Sequence, residues 1–202
     1  MTPGRQRAVA ACFRMPRGAR IKGRTSSIRN AFVAAIVPSA APSVGEIARV
    51  LDIFGLEPEA LRCSYCGGVA TEWDHLRPLV SAGMPTGYPS SIRNLVPSCG
   101  KCNQSKGNKD WREWMRSGAR WSPASRGISG LEERERRLAA FEDWAKCERV
   151  DVNKLAAPET WKRYYGLLDE ILTRMGKADA LAAAIAGRVR APGRARSARA
   201  GS

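Results

Sequence analysis

Three runs of the chain decide its reading: CSYCGG at 63–68, TEWDHLRPLV at 71–80 and SSIRNLVPSCGKCNQSKGNKDWREWM at 90–115. They contain two Cys-x-x-Cys pairs, Cys63/Cys66 and Cys99/Cys102, which bracket the one histidine of the 202-residue sequence, His75. Asp74 immediately precedes that histidine, and Asn103 immediately follows the last cysteine of the second pair.

A two-residue gap lets both sulfurs of a pair reach one ion, and four thiolates suit a tetrahedral Zn²⁺. Disulfides or buried free thiols are the alternatives. No secretory signal is visible, which disfavours disulfides. The spacer over 67–98 is longer than that of a minimal four-cysteine ribbon, so the metal would staple the two ends of an inserted loop. Gly67 and Gly68 follow the first pair, where a tight turn calls for residues tolerant of positive φ. With every position filled by sulfur, such a zinc would be structural and closed to substrate.

Any chemistry then falls to Asp74, His75 and the nearby asparagines. Residues 69–76 read as a short strand, so Asp74 and His75 point to opposite faces unless the strand ends or bends there; Pro78 soon afterwards provides for that. Residues 100–106 read as the start of a helix, with Cys102 and Asn103 in its first turn. Oxygen donors from Asp74 and Asn103 suit a hard cation, Mg²⁺ or Mn²⁺. His75, with an ordinary pKa of about 6.5, suits proton abstraction from water near neutral pH.

The residues Cys63-Ser64-Tyr65-Cys66-Gly67, Asp74-His75-Leu76-Arg77-Pro78-Leu79, Asn94-Leu95-Val96-Pro97 and Cys99-Gly100-Lys101-Cys102-Asn103-Gln104-Ser105-Lys106 together resemble the HNH endonucleases, over about residues 60–116. The resemblance implies a ββα-metal core. It implies that His75 is the general base, that Asp74 is an acidic ligand of the catalytic cation, that Asn94 braces the loop and orients the histidine, and that Asn103 stands at the final metal-ligand position. That position is His in many members, so this is an H-N-N pattern. An amide oxygen is a harder ligand than imidazole, which favours Mg²⁺ or Mn²⁺ there. Arg77, Arg93, Lys101, Lys106 and Lys109 are candidate phosphate contacts, of the kind that position a nucleic-acid backbone without reading its sequence; ordinary solvated surface is the plainer reading of the lysines.

Around this core the sequence predicts helices. The expected organisation is a basic flexible arm over 1–25, a helical segment over 26–59, the HNH core over 60–118, a helical region over 119–187 and a basic disordered tail over 188–202. Ser43 and Glu46 form a capping-box pattern ahead of a helix to Phe54, ended by Gly55. Asn108 or Asp110 can cap a helix whose Trp111, Trp114 and Met115 form a buried stripe. Residues 131–149 and 158–175 read as further helices, the latter ending at Gly176, with an alanine-rich helix over 178–187. The 81–91 run, rich in Gly, Pro and Ser, reads as an irregular loop.

The net charge is +15 and sits mostly at the ends: eight basic and no acidic residues in 1–30, five arginines and no acidic residue in 186–202. Such arms fit sequence-independent attraction to nucleic acid or simple solubilisation. No apolar run approaches the ~18 residues of a membrane span.

The fold class expected is α+β, a small ββα-metal core stapled by a four-cysteine zinc site and flanked by mainly α-helical segments. The function expected is hydrolysis of DNA phosphodiesters, of restriction or homing type, in a cytoplasmic protein of bacterial or phage origin. A homodimer would account for cutting both strands with one site per chain. The rival reading is a zinc-containing nucleic-acid-binding module without catalysis.

Overall fold

The computed structural model describes residues 1–13 and 18–189. The chain divides into two units, residues 29–164 and residues 1–28 together with 165–202. The basic tail expected from 188 onward lies outside the described residues beyond position 189.

The first unit holds the core. Helix α3 (Val44–Phe54) begins at Ser43, whose Oγ accepts the Glu46 amide at 3.2 Å while the Ser43 amide donates to Glu46 Oε2 at 3.1 Å. Gly55 ends it at φ +61°. Start and stop are therefore those expected from the local sequence. Strand β1 (Glu72–His75) runs antiparallel to β4 (Leu95–Ser98), with Glu72 opposite Ser98 and His75 opposite Leu95. Helix α4 (Gly100–Lys106) follows β4 directly, and α5 (Trp111–Arg116) follows α4. Asp110 caps α5 by accepting the amides of Arg112 and Glu113 at 2.8 and 3.3 Å. Helix α6 (Leu131–Ala145) packs across α3.

Between these elements lie Val50, Phe54, Tyr65, Leu76, Ile92, Val96, Trp111, Trp114, Met115, Leu138 and Phe141, all buried. Phe54 meets Phe141 with ring centroids 5.6 Å apart, and Tyr65 stands edge-on to Trp114 at 5.2 Å. Full burial of a side chain such as Phe141 or Met115 contributes about 1.5–3 kcal/mol. Both tryptophans of the stripe on α5 are thus packing residues. The Trp114 indole also donates to Ser105 Oγ at 3.0 Å, tying α5 to α4.

Three expectations change. The 81–91 run is not wholly irregular: β2 (Val80–Ser81) pairs with β3 (Met84–Pro85) through Ala82 and Gly83, both at positive φ, as a two-residue hairpin turn requires. Helix α7 (Pro158–Val189) is continuous through Gly176; one interior glycine costs about 1 kcal/mol relative to alanine, which the surrounding strong helix formers outweigh. In the second unit, the segment expected to be a flexible arm contains α1 (Pro3–Cys12), opened by Pro3 in the position where its missing N–H costs nothing, and a 3-10 turn over Ile21–Arg24. That turn is held by Asp179 of α7, which accepts the Ile21 amide at 2.8 Å and lies 3.6 Å from the Arg20 guanidinium. Helix α2 (Thr25–Ala34) completes the α-helices among the described residues, none of which is long and apolar enough to cross a membrane.

Candidate metal and nucleic-acid site

The four cysteines of the two pairs converge: the sulfurs of Cys63, Cys66, Cys99 and Cys102 all lie within 4.8 Å of one another. The turn that brings the first pair together closes with Gly67 donating to the Cys63 carbonyl at 2.8 Å and Cys63 donating to the Gly68 carbonyl at 2.7 Å. Gly67 adopts φ +73°, a left-handed backbone that favours glycine, with the Arg134 guanidinium lying against it. Ser64 donates to Pro97 at 2.8 Å, which anchors this knuckle on β4. Cys99 caps α4, and Cys102 sits one turn into the helix.

Hydrogen bonds with Cys63 and Cys66, and then burial, hold the Cys102 thiol far above its ordinary range, while bonds from Cys102 and Cys63 draw Cys66 down. Four crowded sulfurs cannot all ionise unaided. A dication at their centre would allow it, so the donor set fits a closed tetrahedral metal such as zinc. Arg126 adds a positive group from the side, with Nη1 3.5 Å from Cys102 Sγ.

Glu72 and Asp74 of β1 both meet α4, at Asn103 and Lys106, while His75, the last residue of the strand, meets Ser90. Asp74 is buried, and its Oδ2 accepts both the Tyr65 hydroxyl at 2.6 Å and Lys106 Nζ at 3.0 Å. Its Oδ1 makes no hydrogen bond among the described residues. Burial raises the Asp74 pKa and lowers that of Lys106, and in each case the partner charge opposes the shift. Burial, and then the Asp74 carboxylate, push Tyr65 well up, so its hydroxyl stays a donor.

Lys106 is the departure from expectation. Its side chain is 0% exposed, and its ammonium also reaches the His75 carbonyl at 2.8 Å and the Gly107 carbonyl at 3.4 Å. It is therefore an internal strut from α4 to β1 and does not offer its charge to a surface phosphate. Asn103, one turn earlier, donates from Nδ2 to Glu72 Oε2 at 2.5 Å, and its Oδ1 makes no hydrogen bond among the described residues. Asp74 and Asn103 are thus held on the same helix–strand seam by different partners, with no hydrogen bond between them.

His75 Nε2 lies 2.9 Å from Ser90 Oγ, and Nδ1 makes no hydrogen bond among the described residues. Burial, with the Lys106 charge second, lowers the His75 pKa to about 4, so the ring is neutral at pH 7. Asn94 is buried and pins the loop that carries Ser90. Its Oδ1 accepts the Arg77 amide at 2.8 Å, and its Nδ2 donates to the Arg77 and Pro89 carbonyls at 3.0 and 3.1 Å. Ser90 is held further by Pro38, whose carbonyl accepts the Ser90 amide at 2.9 Å.

The remaining basic candidates divide. Arg77 pairs with Glu142 at 2.5 Å and Asp110 at 3.7 Å. Arg93 pairs with Glu46 at 3.3 Å, donates to the Ala145 carbonyl at 3.3 Å and stacks over Trp144. Both are engaged in packing α3, α5 and α6 around the core. Lys109 is exposed and donates to the Ser105 carbonyl at 2.8 Å, near the end of α4. Lys101 is exposed, with Nζ 5.2 Å from the Trp121 ring centroid.

Glu72, Ser90 and Tyr65 are the site residues that sequence reasoning passed over. Glu72 alternates with Asp74 on the strand, a signal that was present; Ser90 and Tyr65 become partners only through the folded loop.

No curated protein and no solved structure matches this chain. Residues 63–109, which hold the four cysteines, Asp74, His75, Asn94 and Asn103, match the family model for HNH endonuclease, and the match ties this stretch to metal binding and nuclease or nucleic-acid chemistry.

Proposed function

We propose that the protein is a metal-dependent endonuclease that hydrolyses DNA phosphodiester bonds at His75, of restriction or homing type. One observation carries the reading: beside a zinc-compatible clamp that joins the β1–β4 pair to α4, burial keeps His75 neutral, with Nε2 engaged by Ser90 and Nδ1 without a hydrogen bond among the described residues. With the Nε2 proton donated to Ser90 Oγ, the lone pair on Nδ1 is the base. His75 Nδ1 takes the proton of the attacking water, and the water oxygen forms the new bond to phosphorus. The P–O3′ bond breaks with its electron pair going to the 3′ oxygen, which takes a proton from solvent water, giving 5′-phosphate and 3′-hydroxyl ends.

Asp74 Oδ1 and Asn103 Oδ1, both oxygens without hydrogen bonds among the described residues, suit Mg²⁺ or Mn²⁺, and the cation when bound would supply charge stabilisation at the scissile phosphate and its leaving oxygen. Asn94 keeps the loop closed so that Ser90 faces the ring. Lys101 and Lys109, exposed on and beside α4, would hold the DNA backbone. Zn²⁺ on the four cysteines would serve the fold and not the reaction.

The test is cleavage of supercoiled plasmid and of genomic DNA with Mg²⁺, Mn²⁺ or EDTA, comparing the wild type with His75→Ala. Discrete metal-dependent products that vanish in the variant are expected, while zinc content and DNA retention stay unchanged. A folded, zinc-loaded wild type that binds DNA and cuts neither substrate with either metal would overturn catalysis in favour of a binding module.

A further inference from the structure

We propose that Glu72 is a positioning residue for the catalytic cation: its carboxylate holds Asn103 Nδ2 and thereby turns Asn103 Oδ1, the only metal-binding atom of that amide, toward the ion. The proposal rests on the reading of Asn103 as a ligand and assigns a role to a residue outside the Asp-His-Asn-Asn set.

An asparagine presents two ends of nearly equal shape and opposite chemistry. The oxygen can bind a hard cation and the NH₂ cannot. Free rotation of the amide would leave the wrong end at the ion for part of the time. Glu72 removes that ambiguity because a carboxylate accepts hydrogen bonds and cannot donate one. Its Oε2 accepts Asn103 Nδ2 at 2.5 Å, a charge-assisted contact that the flipped amide could not make. Glu72 is exposed and makes no salt bridge among the described residues, so the contact to α4 is its particular engagement.

The backbone makes room for this contact. A Cβ built at Gly100, the first residue of α4, would lie 2.7 Å from Glu72 Oε1. Glycine between Cys99 and Lys101 therefore lets the carboxylate lie against the first turn of the helix, level with Asn103. Partners one step removed from a metal ligand typically change metal affinity by about 10–100-fold when lost.

The experiment uses the full-length zinc-loaded protein and follows Mn²⁺ binding by loss of the free-ion electron paramagnetic resonance signal. Four variants are compared with the wild type: Asn103→Ala, Glu72→Gln, Glu72→Asp and Gly100→Ala. The expected result is that Asn103→Ala abolishes binding at this site. Glu72→Gln should weaken it about tenfold or more, because a glutamine can accept from or donate to either end of the amide. Glu72→Asp should restore part of the loss. Gly100→Ala keeps every charge and displaces the carboxylate, so an equal loss there assigns the effect to position and not to charge. Zinc content and the thermal midpoint should not move.

In the zinc-loaded protein without Mn²⁺, the Asn103 side-chain NH₂ resonances should show one strongly hydrogen-bonded proton that Glu72→Gln shifts. If Asn103→Ala loses Mn²⁺ while Glu72→Gln and Gly100→Ala bind it as the wild type does, the Glu72 proposal is overturned and the ligand reading stands. If Asn103→Ala binds Mn²⁺ as the wild type does, the ligand reading itself fails and the Glu72 proposal falls with it.

Discussion

His75 and Lys106 show how one buried neighbourhood sets two opposite tasks. Burial favours the uncharged imidazole, and the ammonium beneath it adds repulsion of the same sign, so the folded His75 pKa of about 4 lies below its ordinary 6.5. The unfolded chain therefore binds the extra proton first. The contribution of His75 to stability is complete above about pH 6.5 and is lost as pH falls toward 4. A proton NMR titration of the zinc-loaded protein without Mg²⁺ or Mn²⁺ should find the His75 ring titrating near 4; a midpoint at 6.5 or above would contradict the buried setting.

Lys106 is the converse case, a charge kept inside by three acceptors. Lys106→Met should destabilise the protein by about 3–5 kcal/mol in denaturant unfolding, because the Asp74 carboxylate is left buried and uncompensated. Adding Asp74→Asn to that variant should recover part of the loss, since a neutral amide costs less to bury.

Helix α5 owes its position to its ends and its stripe. Asp110 accepts two of the amides that the first turn leaves unsatisfied, and Trp111, Trp114 and Met115 fill the core behind them. Asp110→Ala should cost about 1 kcal/mol, with a further small loss from its Arg77 contact, read as a lower unfolding midpoint with unchanged zinc content. This helix was legible in advance because cap and stripe lie within a few residues of each other. The same holds for α3, where Ser43, Glu46 and Gly55 mark both ends. The β2–β3 hairpin was not legible, because Ala82 at φ +50° is not a residue that signals a left-handed turn. Nor was the continuity of α7, since an isolated glycine is compatible with either a helix end or a helix interior.

For the molecule as a whole, the four cysteines join segments separated by the entire Asp74–Asn94 loop, so their metal closes the region that carries His75. Stripping the metal with a strong chelator should therefore unfold the 63–109 region, seen as loss of the near-ultraviolet signal of Trp111 and Trp114, and readdition of Zn²⁺ should restore it. An unchanged signal in the metal-free protein would mean that the hydrophobic core holds this region without the staple.

The spacing of Cys63, Cys66, Cys99 and Cys102, the Asp74-His75 pair and the helix caps were all written in short runs of chain. Ligand spacing, caps and amphipathic stripes act over a few residues, and so a linear reading reaches them. The pairing of Glu72 with Asn103, of Asp74 with Lys106 and of His75 with Ser90 was decided only by folding. Each joins positions far apart in the chain, and each exists because the β1–β4 register and the turn into α4 bring them within hydrogen-bond range. No local pattern distinguishes a lysine that will be buried against an aspartate from one that will face solvent, because the difference lies in which surfaces close over it.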